Sequence, residues 1–275
     1  MNALVSTGWL AERLGDPRVR PVDASWYLPA AGRDARAEYA TAHVPGAVYF
    51  DLDAVSDRAS SLPHMLPGAA EFAAAMGALG LSDDDLLVVY DGSGTNLSAA
   101  RAWWMFRAFG HDQVALLDGG IGKWRDEGRP VESGIVSLPP REFTARLDAA
   151  RVRDLAAMQR IVETRGEQVL DARARARFEG TAPEPRPGLR SGHMPGSLNL
   201  PYTELVAPDG TLLPADELRR RFEVAGVDLS RPIVTTCGSG VTACTLLHAL
   251  HLLGHRDTAL YDGSWTEWGA ARPRA

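Results

Sequence analysis

Apolar residues along this chain arrive in short runs of about three to five, bounded by Gly, Pro, Asp or Ser. The runs at 20–23, 47–50, 86–90 and 114–117 are followed by a second set at 168–171, 198–200, 233–236 and 258–261. Short apolar runs between turn residues read as strands buried on both faces. Between them, apolar positions recur with helical spacing over 68–80, 97–109, 216–225 and 241–253, which predicts helices. Strands alternating with helices predict an α/β fold built on parallel sheets with helices on both faces. Ligands of such sheets bind beyond the carboxyl ends of the strands.

The pattern is laid down twice. Leu87-Val88-Val89-Tyr90-Asp91-Gly92-Ser93-Gly94 aligns with Ile233-Val234-Thr235-Thr236-Cys237-Gly238-Ser239-Gly240. Leu116-Leu117-Asp118-Gly119-Gly120, then Trp124, aligns with Leu260-Tyr261-Asp262-Gly263-Ser264, then Trp268. His43-Val44-Pro45-Gly46-Ala47 matches His193-Met194-Pro195-Gly196-Ser197, and Val22-Asp23-Ala24 matches Leu170-Asp171-Ala172. Four matches in one order, about 144 to 150 residues apart, indicate a duplicated domain; the period is far too long for a solenoid. A chain of 275 residues can bury two cores. The expected division is 1–136, a linker at 137–148 around Pro139-Pro140, and 149–275.

The copies part at one position. Cys237 ends a strand, opens a glycine-rich turn and precedes a helix, where backbone N–H groups and the positive helix end favour an anion. A thiol so placed ionises readily and is a candidate nucleophile. A lone cysteine at a strand end also reads as a small packed hydrophobe, but the flanking glycines let the backbone close around the sulfur and favour the nucleophile. Asp91 occupies the same position in the first copy. A carboxylate is not a thiol nucleophile, although its charge suits the helix-end anion site, so the first copy reads as a structural and substrate-positioning partner.

Composition narrows the function classes. A formal net charge of −6 argues against nucleic acid or an anionic membrane as the general partner. No charged-then-apolar leader is visible at 1–15 and no apolar run reaches about 18 residues, so a cytoplasmic protein is expected. The two cysteines, Cys237 and Cys244, suggest a reducing compartment without a disulfide framework; Cys244 reads as a packed helix residue. The Ala/Arg-rich patch at 171–177 reads as helical or loop surface. His43 and His193, and Asp118 and Asp262, read as scaffold turn residues shared by the copies.

Taken together, these segments resemble the rhodanese superfamily of tandem-domain sulfurtransferases over nearly the whole chain. The carriers are the His43 and His193 turns, Asp118-Gly119-Gly120, Arg190-Ser191-Gly192, the Cys237 loop and Tyr261-Asp262-Gly263-Ser264-Trp265. Within that superfamily, a loop reading Cys-Gly-Ser-Gly-Val-Thr resembles the 3-mercaptopyruvate sulfurtransferases, whereas thiosulfate sulfurtransferases typically carry Cys-Arg-Lys-Gly-Val-Thr. The difference has physical sense. Thiosulfate is a compact dianion that adjacent loop cations would hold, and Gly238 and Ser239 offer only dipoles. A mercaptopyruvate carboxylate instead suits arginine forks set farther away.

The resemblance implies roles for particular residues. Cys237 would take the sulfur as a persulfide, with Gly238, Gly240, Val241 and Thr242 lining the loop whose N–H groups stabilise it. Arg177 and Arg186 would grip the donor's carboxylate and keto group; by themselves they read as loop arginines pairing with Glu179 or Glu184. Ser239, His64 and Asp53 would form a proton-handling set, with His64 and Asp53 contributed by the first copy. No metal or organic cofactor is implied. Expected partners are a small sulfur donor and a thiol acceptor such as thioredoxin, served by a monomer. A cysteine phosphatase can share the fold but needs an arginine closing the loop, and Ala243 and Cys244 stand there. A thiosulfate sulfurtransferase and a non-catalytic persulfide carrier are the remaining alternatives.

Overall fold

The computed structural model describes residues 2–270. Contacts divide the chain into two compact units. The first comprises residues up to Arg58, Leu66–Asp148 and Ala207–Leu212; the second comprises Ala59–Met65, Ala149–Val206 and the chain from Leu213 onward. Each is an α/β unit on a five-stranded parallel sheet.

In the first unit the strands are β1 (Leu4–Val5), β2 (Val19–Asp23), β3 (Val48–Tyr49), β4 (Leu86–Tyr90) and β5 (Val114–Leu117), in the order β1-β5-β4-β2-β3. Its helices are α1 (Thr7–Ala11), α2 (Ala35–Thr41), α3 (Leu52–Val55), α4 (Ala69–Ala78), α5 (Leu97–Ala108) and α6 (Gly120–Asp126). β5 is buried throughout and β4 from Leu87 onward, as continuous apolar runs require. Val88, Tyr90, Ala115 and Leu117 pack with Val5, Leu10 and Trp124. A separate aromatic group joins Phe50, Phe72, Phe106, Phe109 and Phe143.

The second unit repeats the plan. Its strands are β6 (Val152–Arg153), β7 (Gln168–Asp171), β8 (Leu198–Asn199), β9 (Ile233–Thr236) and β10 (Thr258–Tyr261), in the order β6-β10-β9-β7-β8. Its helices are α7 (Leu155–Thr164), α8 (Arg175–Phe178), α9 (Ala215–Val224), α10 (Ala243–Leu252) and α11 (Ser264–Trp268). Met158, Ile161, Val169, Val234, Tyr261 and Trp265 share its core. The register pairs Asp171 with Thr236, so the ends of β7 and β9 lie side by side at the carboxyl edge of the sheet.

The eight strands expected from the apolar runs are present, five of them (β4, β5, β7, β9 and β10) with the expected ends. The outermost strands β1 and β6 are two residues each, too short to leave a pattern. Among the described residues, no helix is long and apolar enough to cross a membrane.

Asp23 and Asp171 are matched positions in the two copies and both are buried, yet their surroundings differ. Asp171 faces an arginine, described below. Asp23 accepts the N–H of Ser25 at 2.9 Å. Burial pushes its carboxyl up to about 6; hydrogen bonds from Ser25 and Tyr90 oppose this and the charge of Asp91 adds to it. The folded state therefore holds a proton that the unfolded state has released between the ordinary value of 3.8 and about 6. Stability from this group falls as pH rises through that window. Asp23→Asn keeps an acceptor for Ser25 and removes the buried charge. It is expected to raise stability at pH 7 by about 2 kcal/mol and to flatten the decline between those pH values, measured by urea unfolding across pH.

Candidate active site

Strand β9 is buried along its length and delivers Cys237 to the carboxyl edge of the sheet with 2% of its surface exposed. The loop from Cys237 to Thr242 then turns into α10, with Gly240 at φ +75° taking the left-handed conformation that the reversal needs. Val241 is buried beside it, and the Cys244 thiol donates to the Gly240 carbonyl at 3.3 Å, so Cys244 is a packed helix residue that fastens the turn.

Ser239 and His64 meet. Ser239 Oγ and His64 Nδ1 lie 3.1 Å apart and both residues are buried. Although His64 precedes the first copy's Cys237 counterpart in sequence, the segment Ala59–Met65 packs with the second unit. His64 has φ +59°, an uncommon conformation for a residue with a side chain, of the kind that collects at functional sites. Asp53 lies on α3 in the first unit, where its carboxylate accepts the indole N–H of Trp26 at 3.0 Å.

Arg177 and Arg186 converge on Gly238. A Cβ added to Gly238 would stand 3.1 Å from Arg177 Nη2 and 3.9 Å from Arg186 Nη1. A side chain at 238 would press on Arg177 and stand in ordinary contact with Arg186, so both guanidinium groups lie close to the loop. Burial holds the Arg186 guanidinium below its ordinary value; Cys237 opposes that shift, Arg177 adds to it and Glu184 opposes it.

Arg177 is held by a buried chain of alternating charge in a stretch expected to be surface. Arg173 is 1% exposed. Its Nε and Nη2 bond the Asp171 carboxylate at 2.7 to 3.1 Å, its Nη1 reaches Glu184 at 2.8 Å, and its guanidinium lies over the Trp265 ring at 4.2 Å. Glu184 turns its other oxygen to Arg177 Nη2 at 2.5 Å, with Nε at 3.3 Å from the first. This side-on fork leaves Arg177 Nη1 for a ligand. The 171–177 patch is therefore corrected at its core, since Asp171, Ala172 and Arg173 are buried. Hydropathy cannot reveal a buried arginine. The comparison of copies carried a signal, however: Asp-Ala-Arg at 171–173 stands against Asp-Ala-Ser at 23–25.

At Asp91 the first copy fills its own anion site. The carboxylate accepts from Ser93 N at 2.8 Å and Ser93 Oγ at 2.6 Å on one oxygen. On the other it accepts from Ser98 N and Ala99 N, both at 2.9 Å, at the start of α5. The turn histidines are scaffold. His43 is buried, bonded through Nδ1 to the Tyr39 carbonyl and stacked on its ring, and His193 stands likewise on Phe178. Asp118 accepts the N–H of Leu212. Among the described residues, no group of three or more His, Cys, Asp or Glu is placed to hold a metal ion.

A protein-family profile described as "Rhodanese-like domain" matches the chain twice, over residues 6–127 and 154–271. The chain is 49% identical to the 3-mercaptopyruvate sulfurtransferase of Rattus norvegicus over 97% of its own length and 92% of the relative's. It is 46% identical to the thiosulfate sulfurtransferase of Bos taurus, with 97% and 92% covered. Among solved structures, SseA from Escherichia coli, described as a 3-mercaptopyruvate sulfotransferase, superposes with a TM-score of 0.89 at 42% identity, covering 96% of this chain and 99% of that one.

Glu184 is shared by two cations, and its side chain is 2% exposed. Glu184→Gln removes a buried charge between two cations and turns amide N–H groups toward one of them, while Arg173 keeps only Asp171 as its counter-charge. The expected loss is about 3 kcal/mol of unfolding stability, measured by chemical denaturation, with the unfolding slope unchanged.

Proposed function

The chain belongs to the rhodanese family, and from that premise we propose that it moves sulfur from 3-mercaptopyruvate to a thiol acceptor through a persulfide on Cys237. The observation that carries this reading is the pair of guanidinium groups brought against Gly238 beside the thiol. A donor carboxylate and keto oxygen fit Arg177 and Arg186, and the loop itself supplies no cation to hold a dianion.

In the first half-reaction the Cys237 thiolate attacks the donor sulfur. A sulfur–sulfur bond forms, the carbon–sulfur bond breaks, and its electron pair leaves with pyruvate as the enolate. In this reading the donor's thiol proton passes to the enolate carbon by way of Ser239 and His64, a role supported by their 3.1 Å contact. Backbone N–H groups of Gly238, Gly240, Val241 and Thr242 are the dipoles available to the anionic sulfur. In the second half-reaction an acceptor thiolate takes the outer sulfur and Cys237 is released. Thioredoxin or another small thiol is the proposed acceptor, and the chain is proposed to act as a monomer in the cytoplasm.

A second reading, thiosulfate as donor, is favoured by the similarity to the bovine thiosulfate sulfurtransferase. Steady-state kinetics with each donor and cyanide as the common acceptor separate the two. The expected outcome is a kcat/KM at least about tenfold higher for 3-mercaptopyruvate, equal to ~1.4 kcal/mol of transition-state preference. Cys237→Ser is expected to abolish turnover with both donors. Preference for thiosulfate would reverse the donor assignment and leave the persulfide route intact.

A further inference from the structure

The nucleophile's own backbone is held from the segment after β10, and one of the residues holding it stands in a conformation that side chains rarely adopt. Ser264 has φ +51° and is fully buried. Its hydroxyl donates to the Tyr261 carbonyl at 2.8 Å, which leaves its lone pairs to accept the Cys237 N–H at 3.2 Å and the Thr236 hydroxyl at 3.4 Å. The next residues complete the grip. Trp265 N–H donates to the Cys237 carbonyl at 2.9 Å. Thr266 donates to the Gly238 carbonyl from its N–H at 2.9 Å and from its hydroxyl at 2.6 Å. Three successive peptide groups around the sulfur-bearing residue are thereby fixed.

The duplicated copy shows what this position looks like without a thiol. Gly120 matches Ser264, takes the same left-handed conformation at φ +57°, and is followed by Ile121, whose N–H bonds the Asp91 carbonyl at 3.2 Å. A Cβ on Gly120 would stand 2.5 Å from that carbonyl oxygen. Glycine meets the conformation without strain and offers no hydroxyl. The copy with the cysteine instead keeps a serine in the unfavourable region, which is the pattern expected where strain is retained for a function.

We propose that Ser264, seconded by Thr266, is a positioning residue for Cys237. It holds the Cys237 and Gly238 peptides rigid, so that the thiolate, and then the persulfide, meets fixed rather than fluctuating backbone dipoles. This rests on Cys237 being the nucleophile. The charged groups nearest the loop, Arg177 and Arg186, and the His64 imidazole on Ser239, are untouched by changes at 264 and 266.

The test compares Ser264→Gly, Thr266→Val and Thr266→Ser in the full chain. It measures iodoacetamide alkylation of Cys237 across pH, thermal midpoint, and kcat and KM with 3-mercaptopyruvate and cyanide. Ser264→Gly relieves the backbone strain but takes the acceptor from the buried Cys237 N–H, so the thermal midpoint is expected to stay or fall by only a few degrees. Alkylation near neutral pH should slow by about tenfold with the profile moved to higher pH, and kcat should fall in step while KM stays within about twofold. Thr266→Val should move the same way and Thr266→Ser should restore the parent profile, which keeps the test intact if Ser264→Gly folds poorly. Alkylation profiles superimposable on the parent's overturn the proposal while leaving Cys237 as nucleophile. A parent protein whose alkylation and turnover both survive Cys237→Ser overturns the nucleophile reading and this proposal together.

Discussion

The site depends on a guanidinium buried where no water reaches it. Arg173 cannot stay charged in the interior unless its donors are met, and Asp171, Glu184 and the Gly192 carbonyl meet them. Once Glu184 is committed to Arg173, its remaining oxygen dictates the direction of Arg177. The position of the arginine beside Gly238 is thus set from the end of β7, by way of buried groups set back from the loop. A parallel sheet makes this possible because β7 and β9 run in register to the same edge, so the root of the charged chain and the cysteine start from neighbouring strand ends.

The two halves show how little must change to give one scaffold two characters. Both keep the buried aspartate at the end of their second strand, β2 or β7, and both keep a left-handed residue after their last strand, Gly120 or Ser264. In the second, Arg173 neutralises the aspartate; in the first, Ser25 offers a backbone N–H and the carboxyl is left with a raised affinity for protons. In the second, the helix-side turn holds a thiol and two arginines crowd a glycine. In the first, Arg33 reaches the Gly92 carbonyl while paired to Glu38, and a Cβ on Gly92 would meet the Tyr27 hydroxyl at 2.5 Å. The mouth of that turn is occupied by side chains.

Much of this was legible before the structure. Buried parallel strands leave continuous apolar runs, so β4, β5, β9 and β10 were visible with their ends, and the repeat located the one position where the copies differ in chemistry. The loop glycines pointed to Cys237, and the family resemblance added Arg177, Arg186, Ser239 and His64. What escaped was of two kinds. Helices beyond the four expected were not read, the ten-residue α7 among them, and the shortest elements, β1, β6 and α8, carry no period. Buried polar groups, Arg173 and Glu184 above all, are encoded by contacts between distant positions, and local composition marks them as surface.

Asp91 has a consequence for how the molecule counts. Its carboxylate is tethered to the backbone and already sits on the Ser93, Ser98 and Ala99 donors, so the first half's anion site is permanently saturated by its own chain. Under the proposed chemistry, a protein with two matching folds carries sulfur at only one of its two matched positions, because a carboxylate has no thiol to extend into a persulfide and the donors around it are already taken.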